Sequence, residues 1–224
     1  VSSLDLVPPV KQLRTPYGSY GARSVIVATG ARPRKLGVPG EAQLTGHGVS
    51  YCATCDGSFF RGKTVMVVGG GNTAAADAIY LSRLAEHVIL VHRRDKLRAT
   101  PVYHEQLAKL ENVSFMWSTE VRALRGEEGK LVSAQVEHLG DGALETVPVD
   151  GVFVAVGTQP NTEFLAGALP LDAGGYIVAS ETGETSIPGV FAAGDVRAKA
   201  LRQVVTAVSD GAVCAEQAAN HVAI

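Results

Sequence analysis

Apolar residues along this chain fall into three patterns. The first is a set of short runs without alternation, most of them stopped by glycine: 24–30 (SVIVATG), 63–69 (KTVMVVG), 87–91 (HVILV), 150–157 (DGVFVAVG) and 190–195 (VFAAGD). Runs of this length, rich in valine and lacking a polar face, predict strands buried on both sides, as in a parallel sheet. The second pattern is a weak two-residue alternation over 1–21 and again over 119–149, interrupted by Pro16-Tyr17-Gly18, Gly126–Gly129 and Gly140–Gly142. It predicts antiparallel strands with tight turns, the later set forming a sheet laid over the central unit. The third is helical: 74–85, with Ala78, Leu81 and Leu84 spaced for one face, then 101–110, and an alanine-rich amphipathic stretch at 203–222. A further strand is expected at 113–117. Cys214, inside the last helix, reads as a small buried hydrophobe.

Between 31 and 48 stand Pro33, Gly37, Pro39, Gly40, Gly46 and Gly48, a density of breakers that marks a linker and a domain boundary near Leu36. A chain of 224 residues with 46% hydrophobic and 19% charged residues can build one large or two modest globular domains. The 20 basic and 22 acidic residues leave a net charge of −2, so no bulk attraction to nucleic acid is expected. No apolar run approaches the roughly 18–20 residues that span a bilayer. No signal-peptide pattern opens the sequence, and three cysteines do not make a secreted disulfide framework. A cytoplasmic location is expected.

Chemistry concentrates between Tyr51 and Arg98. Gly69, Gly71 and Ala74 match G-x-G-x-x-A, with Asn72 and Thr73 inside the motif, between a predicted strand and a predicted helix. In that setting the glycines permit a tight turn and close approach of a pyrophosphate, and the helix N-terminus offers free N–H groups. An NAD site carries an acid about 20 residues further on. Here the place holds His92-Arg93-Arg94, with Arg98 one turn later, so charge-assisted bonds to the 2′-phosphate of NADPH are favoured over NADH. A solvated basic corner is the plain alternative. Cys52 and Cys55 have the spacing of a dithiol that closes a disulfide, with Asp56 beside them to exchange a proton with a thiolate. A zinc site needs about four ligands, and no second cysteine or histidine pair is spaced to supply them, so no metal is expected. Hydride arrives as an electron pair whereas disulfide exchange runs through thiolates, so a flavin is expected between nicotinamide and dithiol. Thr29-Gly30 and Gly194-Asp195, at the ends of buried strands, are candidates to touch it. Asp195 also reads as a helix cap or turn residue.

C-A-T-C-D-G at 52–57, G-G-G-N-T-A at 69–74, H-R-R-D-x-x-R at 92–98 and G-V-F-A-A-G-D-V at 189–196, followed by R-Q at 202–203, resemble bacterial-type, low-molecular-weight thioredoxin reductase, in family order over essentially the whole chain. The resemblance implies an α/β protein of two Rossmann-like, three-layer ββα dinucleotide-binding domains. An NADPH domain, residues 37–149, is inserted into an FAD domain made of 1–36 and 150–224, with hinges at Gly37–Gly40 and Asp150–Gly151. It implies that Cys55 faces the flavin, that Cys52 exchanges with thioredoxin, and that Asp56 protonates the departing thiolate. Arg93, Arg94 and Arg98 take the 2′-phosphate, and Asp195 with Arg202, Gln203 and Val204 holds the flavin. It further implies a homodimer whose NADPH domain rotates. The family opens with its own strand–G-x-G-x-x-G/A–helix for the FAD pyrophosphate. Nothing here corresponds, so the FAD domain is expected to be incomplete at its N-terminal side. Ala74-Ala-Ala-Asp77 stands where the family usually carries two consecutive acids. The reductase of a peroxide-reducing system, and an inactive nucleotide-binding fragment, are the alternative readings.

Overall fold

The computed structural model describes every residue except Ser2, Pro8, Ala166 and Ile224. The chain divides into two compact units, 1–32 with 158–224, and 33–157.

The first unit begins with β1 (Ser3–Asp5), β2 (Lys11–Thr15) and β3 (Gly18–Ala22), an antiparallel meander turning at Pro16-Tyr17 as the alternation predicted. The unalternating run then forms β4 (Val25–Val27), followed by β5 (Ala31–Pro33).

The second unit runs through α1 (Glu41–Leu44), β6 (Val49–Ser50), α2 (Ala53–Asp56), β7 (Thr64–Val68), α3 (Asn72–Leu81), β8 (His87–His92), α4 (Pro101–Leu107), β9 (Val113–Trp117), β10 (Thr119–Glu127), β11 (Lys130–His138), β12 (Leu144–Pro148) and β13 (Gly151–Val154). Five strands form one parallel sheet in the order β6–β13–β7–β8–β9. Because side chains alternate along each strand, Val65, Val67, Val88, Leu90 and Phe153 face the helices, packing on Ala74, Ala75, Ala78 and Leu81. Met66, Val68, Val91, Val152 and Val154 face the other way, onto Val121, Leu124, Ala134, Val136 and Val147 of the antiparallel β10–β11–β12 layer. Both faces are therefore covered, which is why these strands lack a polar side. The helices of this unit are shorter than the sequence pattern predicts, α3 ending at Leu81 and α4 at Leu107. The unit is also longer than the expected 37–149. β13 lies between β6 and β7, Val152 pairing with both Val49 and Met66, so the run echoing 25–30 belongs to this inner sheet.

Returning to the first unit, β14 (Thr158–Pro160) pairs with β5, and β15 (Val190–Ala192) runs parallel to β4, Phe191 beside Ile26. One side of β4–β15 packs on Leu6, Leu165, Leu169, Ile177 and Val196. On the other, Phe191 and Ala193 meet Cys214 of α5 (Val204–Ala223). Cys214 is fully buried, its Sγ against the Ala192 carbonyl, as a small hydrophobe fitting between helix and strand.

Candidate functional site

In the second unit, β7 delivers the chain into Gly69–Gly71 and α3 leaves it. A Cβ on Gly70 would stand 2.1 Å from the His92 ring, whereas one on Gly71 would meet nothing within 4 Å. The turn is thus tight behind and open in front, the shape a pyrophosphate needs. His92 ends β8 and is 6% exposed, with its Nε2 buried and unpartnered among the described residues. Burial, then Arg98, Arg94 and Arg93, lowers its pKa, so the imidazole is neutral. The Arg98 amide donates to the Gly70 carbonyl at 2.7 Å, tying the arginine loop to the glycine turn.

Gly69, Gly71, Thr73, His92, Arg93 and Arg98 line one cleft of about 500 Å³, joined there by Arg34, Lys35, Glu120 and Arg122. The sequence reading missed these four, because nothing local to β10 or to the linker announces that they converge on the glycine turn. Three other expected residues do not line the cleft. Ala74 is fully buried against the sheet. Asn72 accepts from the Thr100 amide at 2.9 Å, holding the start of α4. Arg94 is exposed outside it. Among the described residues none of Arg93, Arg94 and Arg98 forms a salt bridge.

The dithiol lies in the same unit. Cys52 caps α2, its Sγ accepting from the Cys55 amide at 3.2 Å, and the two cysteines form a disulfide with Cα atoms 5.3 Å apart. Cys55 is exposed and Asp56 half-buried. The Ser50 hydroxyl donates to Asp56 Oδ2 at 2.7 Å. A Cβ on Gly57 would lie 3.0 Å from both Tyr80 and Leu81, so glycine there lets the dithiol helix seat on α3. On the other side of Cys52, the Tyr51 hydroxyl donates to Glu41 Oε1 at 2.9 Å, and the buried Glu41 carboxylate also accepts from the Leu36 and Gly37 amides at 2.9 and 2.7 Å. Burial, then the Glu41 hydrogen bond, raises the Tyr51 pKa.

In the first unit, the carboxyl ends of β4 and β15 lie side by side, the Ala193 amide donating to the Val27 carbonyl at 2.9 Å. Ligands of open α/β sheets bind at such ends. Asn161 locks Thr29-Gly30 there: it accepts from the Thr29 hydroxyl at 2.7 Å and donates to the Thr29 and Gly30 carbonyls. Gly194 donates its amide to Asp210 Oδ2 at 2.9 Å, and Asp210 also accepts from Arg197 and Lys199, both at 3.0 Å. Asp195 Oδ1 is buried without a partner among the described residues. The Arg202 guanidinium stacks on Tyr176 at 3.8 Å and its Nε donates to the Asp195 carbonyl. Gln203 and Val204 lead into α5, with Val204 exposed. An acid amid the small residues of α5, at Asp210, was the one visible signal of this cluster. The orphaned Asp195 oxygen suits a ligand hydroxyl, and the open side of Gly71 suits a phosphate, so both nucleotide cradles fit the residues present. Among the described residues no group of three or more His, Cys, Asp or Glu side chains is arranged to hold a metal.

The family model described as pyridine nucleotide-disulphide oxidoreductase matches residues 10–211. The chain is 47% identical over 204 residues to thioredoxin reductase of Listeria monocytogenes, covering 91% of this chain and 64% of that protein, so it spans less than two thirds of that relative's length. It is 46% identical over 222 residues to thioredoxin reductase of Treponema pallidum, covering 99% of this chain and 72% of that one. The crystal structure of thioredoxin reductase from Streptococcus pyogenes superposes with a TM-score of 0.92 at 41% identity, over 99% of this chain and 72% of that chain. Matched by that family model over residues 10–211, and by these relatives along most or nearly all of its length, the chain belongs to the pyridine nucleotide-disulphide oxidoreductase family, in its thioredoxin reductase branch.

Proposed function

We propose that the chain is the dithiol and nucleotide machinery of a thioredoxin-disulfide reductase, a flavoprotein oxidoreductase that takes electrons from NADPH through FAD to Cys52–Cys55 and on to thioredoxin. One observation carries the reading: a closed disulfide with a carboxylic acid beside it shares a unit with a glycine turn and with three arginines that form no salt bridge among the described residues. Bound FAD supplies the exchange between hydride and dithiol chemistry.

The protein's own residues bind, orient and handle protons. The N-terminal amides of α3 and the open side of Gly71 receive the pyrophosphate, and Arg93, Arg94 and Arg98 receive the 2′-phosphate. A neutral His92 fills the space behind Gly70 without adding a further cation to the cleft. Asp195, whose carbonyl accepts from Arg202, would accept a hydrogen bond from a ribityl hydroxyl, and Thr29, Gly30, Gln203 and Val204 would help hold the same group. Exposed Cys55 would face the flavin, half-buried Cys52 exchanges with thioredoxin, and Asp56 supplies the proton a departing thiolate needs. A homodimer and a cytoplasmic location belong to the same proposal. Among the described residues no helix is long and apolar enough to cross a membrane.

The test uses the full-length protein with FAD. Cys55→Ser is expected to abolish thioredoxin reduction while NADPH still bleaches the flavin absorbance. Thioredoxin turnover at the unmutated rate in that variant refutes the assignment.

A further inference from the structure

Beside the dithiol stands a hydroxyl that the proposed relay leaves without a role. Ser50 ends β6 and is 6% exposed. Its Oγ donates to Asp56 Oδ2 at 2.7 Å and accepts from the Cys52 amide at 3.0 Å. A serine carries one hydroxyl proton. Two acceptors are in reach, the Asp56 carboxylate at 2.7 Å and the Cys52 carbonyl at 3.4 Å. Distance and charge both favour the carboxylate. The other bonds of the turn close on the same residue, since the Cys52 carbonyl accepts from the Asp56 amide at 3.1 Å and the Cys52 sulfur from the Cys55 amide at 3.2 Å. A single buried hydroxyl therefore fixes both the backbone of the first cysteine and the side chain of the acid.

We propose that Ser50 is a positioning residue of the dithiol, acting through Asp56. It orients the carboxyl group and stabilises the carboxylate that remains once Asp56 has given its proton to a departing thiolate. The inference rests on the roles proposed for Cys52, Cys55 and Asp56. In the step concerned, Asp56 takes the Cys52 proton and the Cys52 thiolate attacks a substrate disulfide, forming a mixed disulfide as the substrate S–S bond breaks. The first substrate thiolate leaves and takes that proton from Asp56. Cys55 then attacks Cys52 in the mixed disulfide, and its proton goes to the second substrate thiolate as that leaves. Two electrons pass from the dithiol to the substrate, the two thiol protons end on the two substrate sulfurs, and Asp56 ends as the carboxylate it began as. A hydroxyl donating to Asp56 favours the moment at which that proton is given up. Nothing in this step requires nucleotide or flavin.

The experiment follows that independence. The full-length protein is reduced with dithiothreitol, freed of reductant and mixed with hydroxyethyl disulfide, whose aliphatic leaving thiolate needs a proton. Samples are acid-quenched, alkylated and weighed by mass spectrometry across a pH series. Ser50→Ala is expected to slow closure of the Cys52–Cys55 disulfide roughly 10- to 100-fold, as loss of a hydrogen bond to a charged group implies. It is also expected to move the acid-side limb of the pH–rate profile to higher pH, and to add little in an Asp56→Asn background. Should alanine prevent folding, Ser50→Thr against Ser50→Val, matched in size and different in the hydroxyl, gives the same comparison. A Ser50→Ala profile that superposes on the unmutated one, or effects that multiply with Asp56→Asn, overturns the inference and leaves the dithiol relay standing. An unmutated dithiol that does not exchange at all overturns both.

Discussion

Asp77 offers the most quantitative test of this fold. It sits in the middle turns of α3, flanked along the helix by the buried Ala74, Ala78 and Leu81. Burial alone raises its pKa from 3.8 to about 6. A carboxyl group whose folded pKa is raised contributes stability that is fully present below 3.8 and is lost as pH rises through about 6. Above that range the native helix carries a charge that the unfolded chain solvates better. The gap between the two values corresponds to roughly 3 kcal/mol, and partial exposure screens this to about 1–2 kcal/mol. Asp77→Asn keeps the size and removes the charge. The variant is therefore expected to be more stable at pH 8 by about 1–2 kcal/mol, or about 2–8 °C in melting temperature. The advantage should close below about pH 4. Melting both proteins by calorimetry from pH 4 to 8 isolates this one group, because every other titration is common to the pair. A variant less stable at pH 8, or a difference constant with pH, refutes the reasoning.

Other perturbations follow from the same contacts. Asp210→Ala strands Arg197 and Lys199, whose side chains are 11% and 9% exposed, and is expected to cost about 3–5 kcal/mol in urea unfolding; a loss under 1 kcal/mol contradicts the cluster. Gly70→Ala drives a methyl group into His92 and is expected to cost about 1–3 kcal/mol in thermal melting. Adding His92→Ala should restore part of the loss, and simple additivity of the two changes speaks against the contact. Arg93→Ala with Arg94→Ala should raise the KM for NADPH far more than for NADH, in steady-state kinetics of the full-length protein; equal changes contradict the phosphate assignment.

The parts legible in the sequence were those with a local physical cause. Glycine stopping an apolar run marked the end of β7 at Gly69 and, three residues late, those of β4 at Gly30 and β13 at Gly157, and a dithiol spacing marked Cys52 and Cys55, because each needs only its neighbours in sequence. What escaped depends on distant segments meeting. Nothing in DGVFVAVG shows that β13 inserts between β6 and β7, since a strand buried on both faces looks alike in any parallel sheet. Arg122 reaches the glycine cleft only because β10 crosses the far face of that sheet. Asn72 lies inside a phosphate-binding motif, yet its side chain holds Thr100, a contact invisible until α4 packs beside α3. Ser50 gave no signal either, being a small polar residue two positions before a conspicuous cysteine.

The buried Glu41 has a mechanical corollary. Three donors converge on one carboxylate: the Leu36 and Gly37 amides of the segment entering the second unit, and the hydroxyl of Tyr51, one residue ahead of Cys52. Entry segment and sulfur are thereby joined by a strut rather than by slack chain. A torque on Leu36–Gly37 must either rupture bonds to a buried anion or be transmitted toward the disulfide. The strut also has an alkaline limit. Tyr51 has its pKa raised above the ordinary 10.0, so the joint is intact below that value and gives way as pH climbs through the raised one, when two anions face each other. Slow hydrogen exchange at the Leu36 and Gly37 amides, lost on Tyr51→Phe with Glu41→Gln, is the signature of that strut.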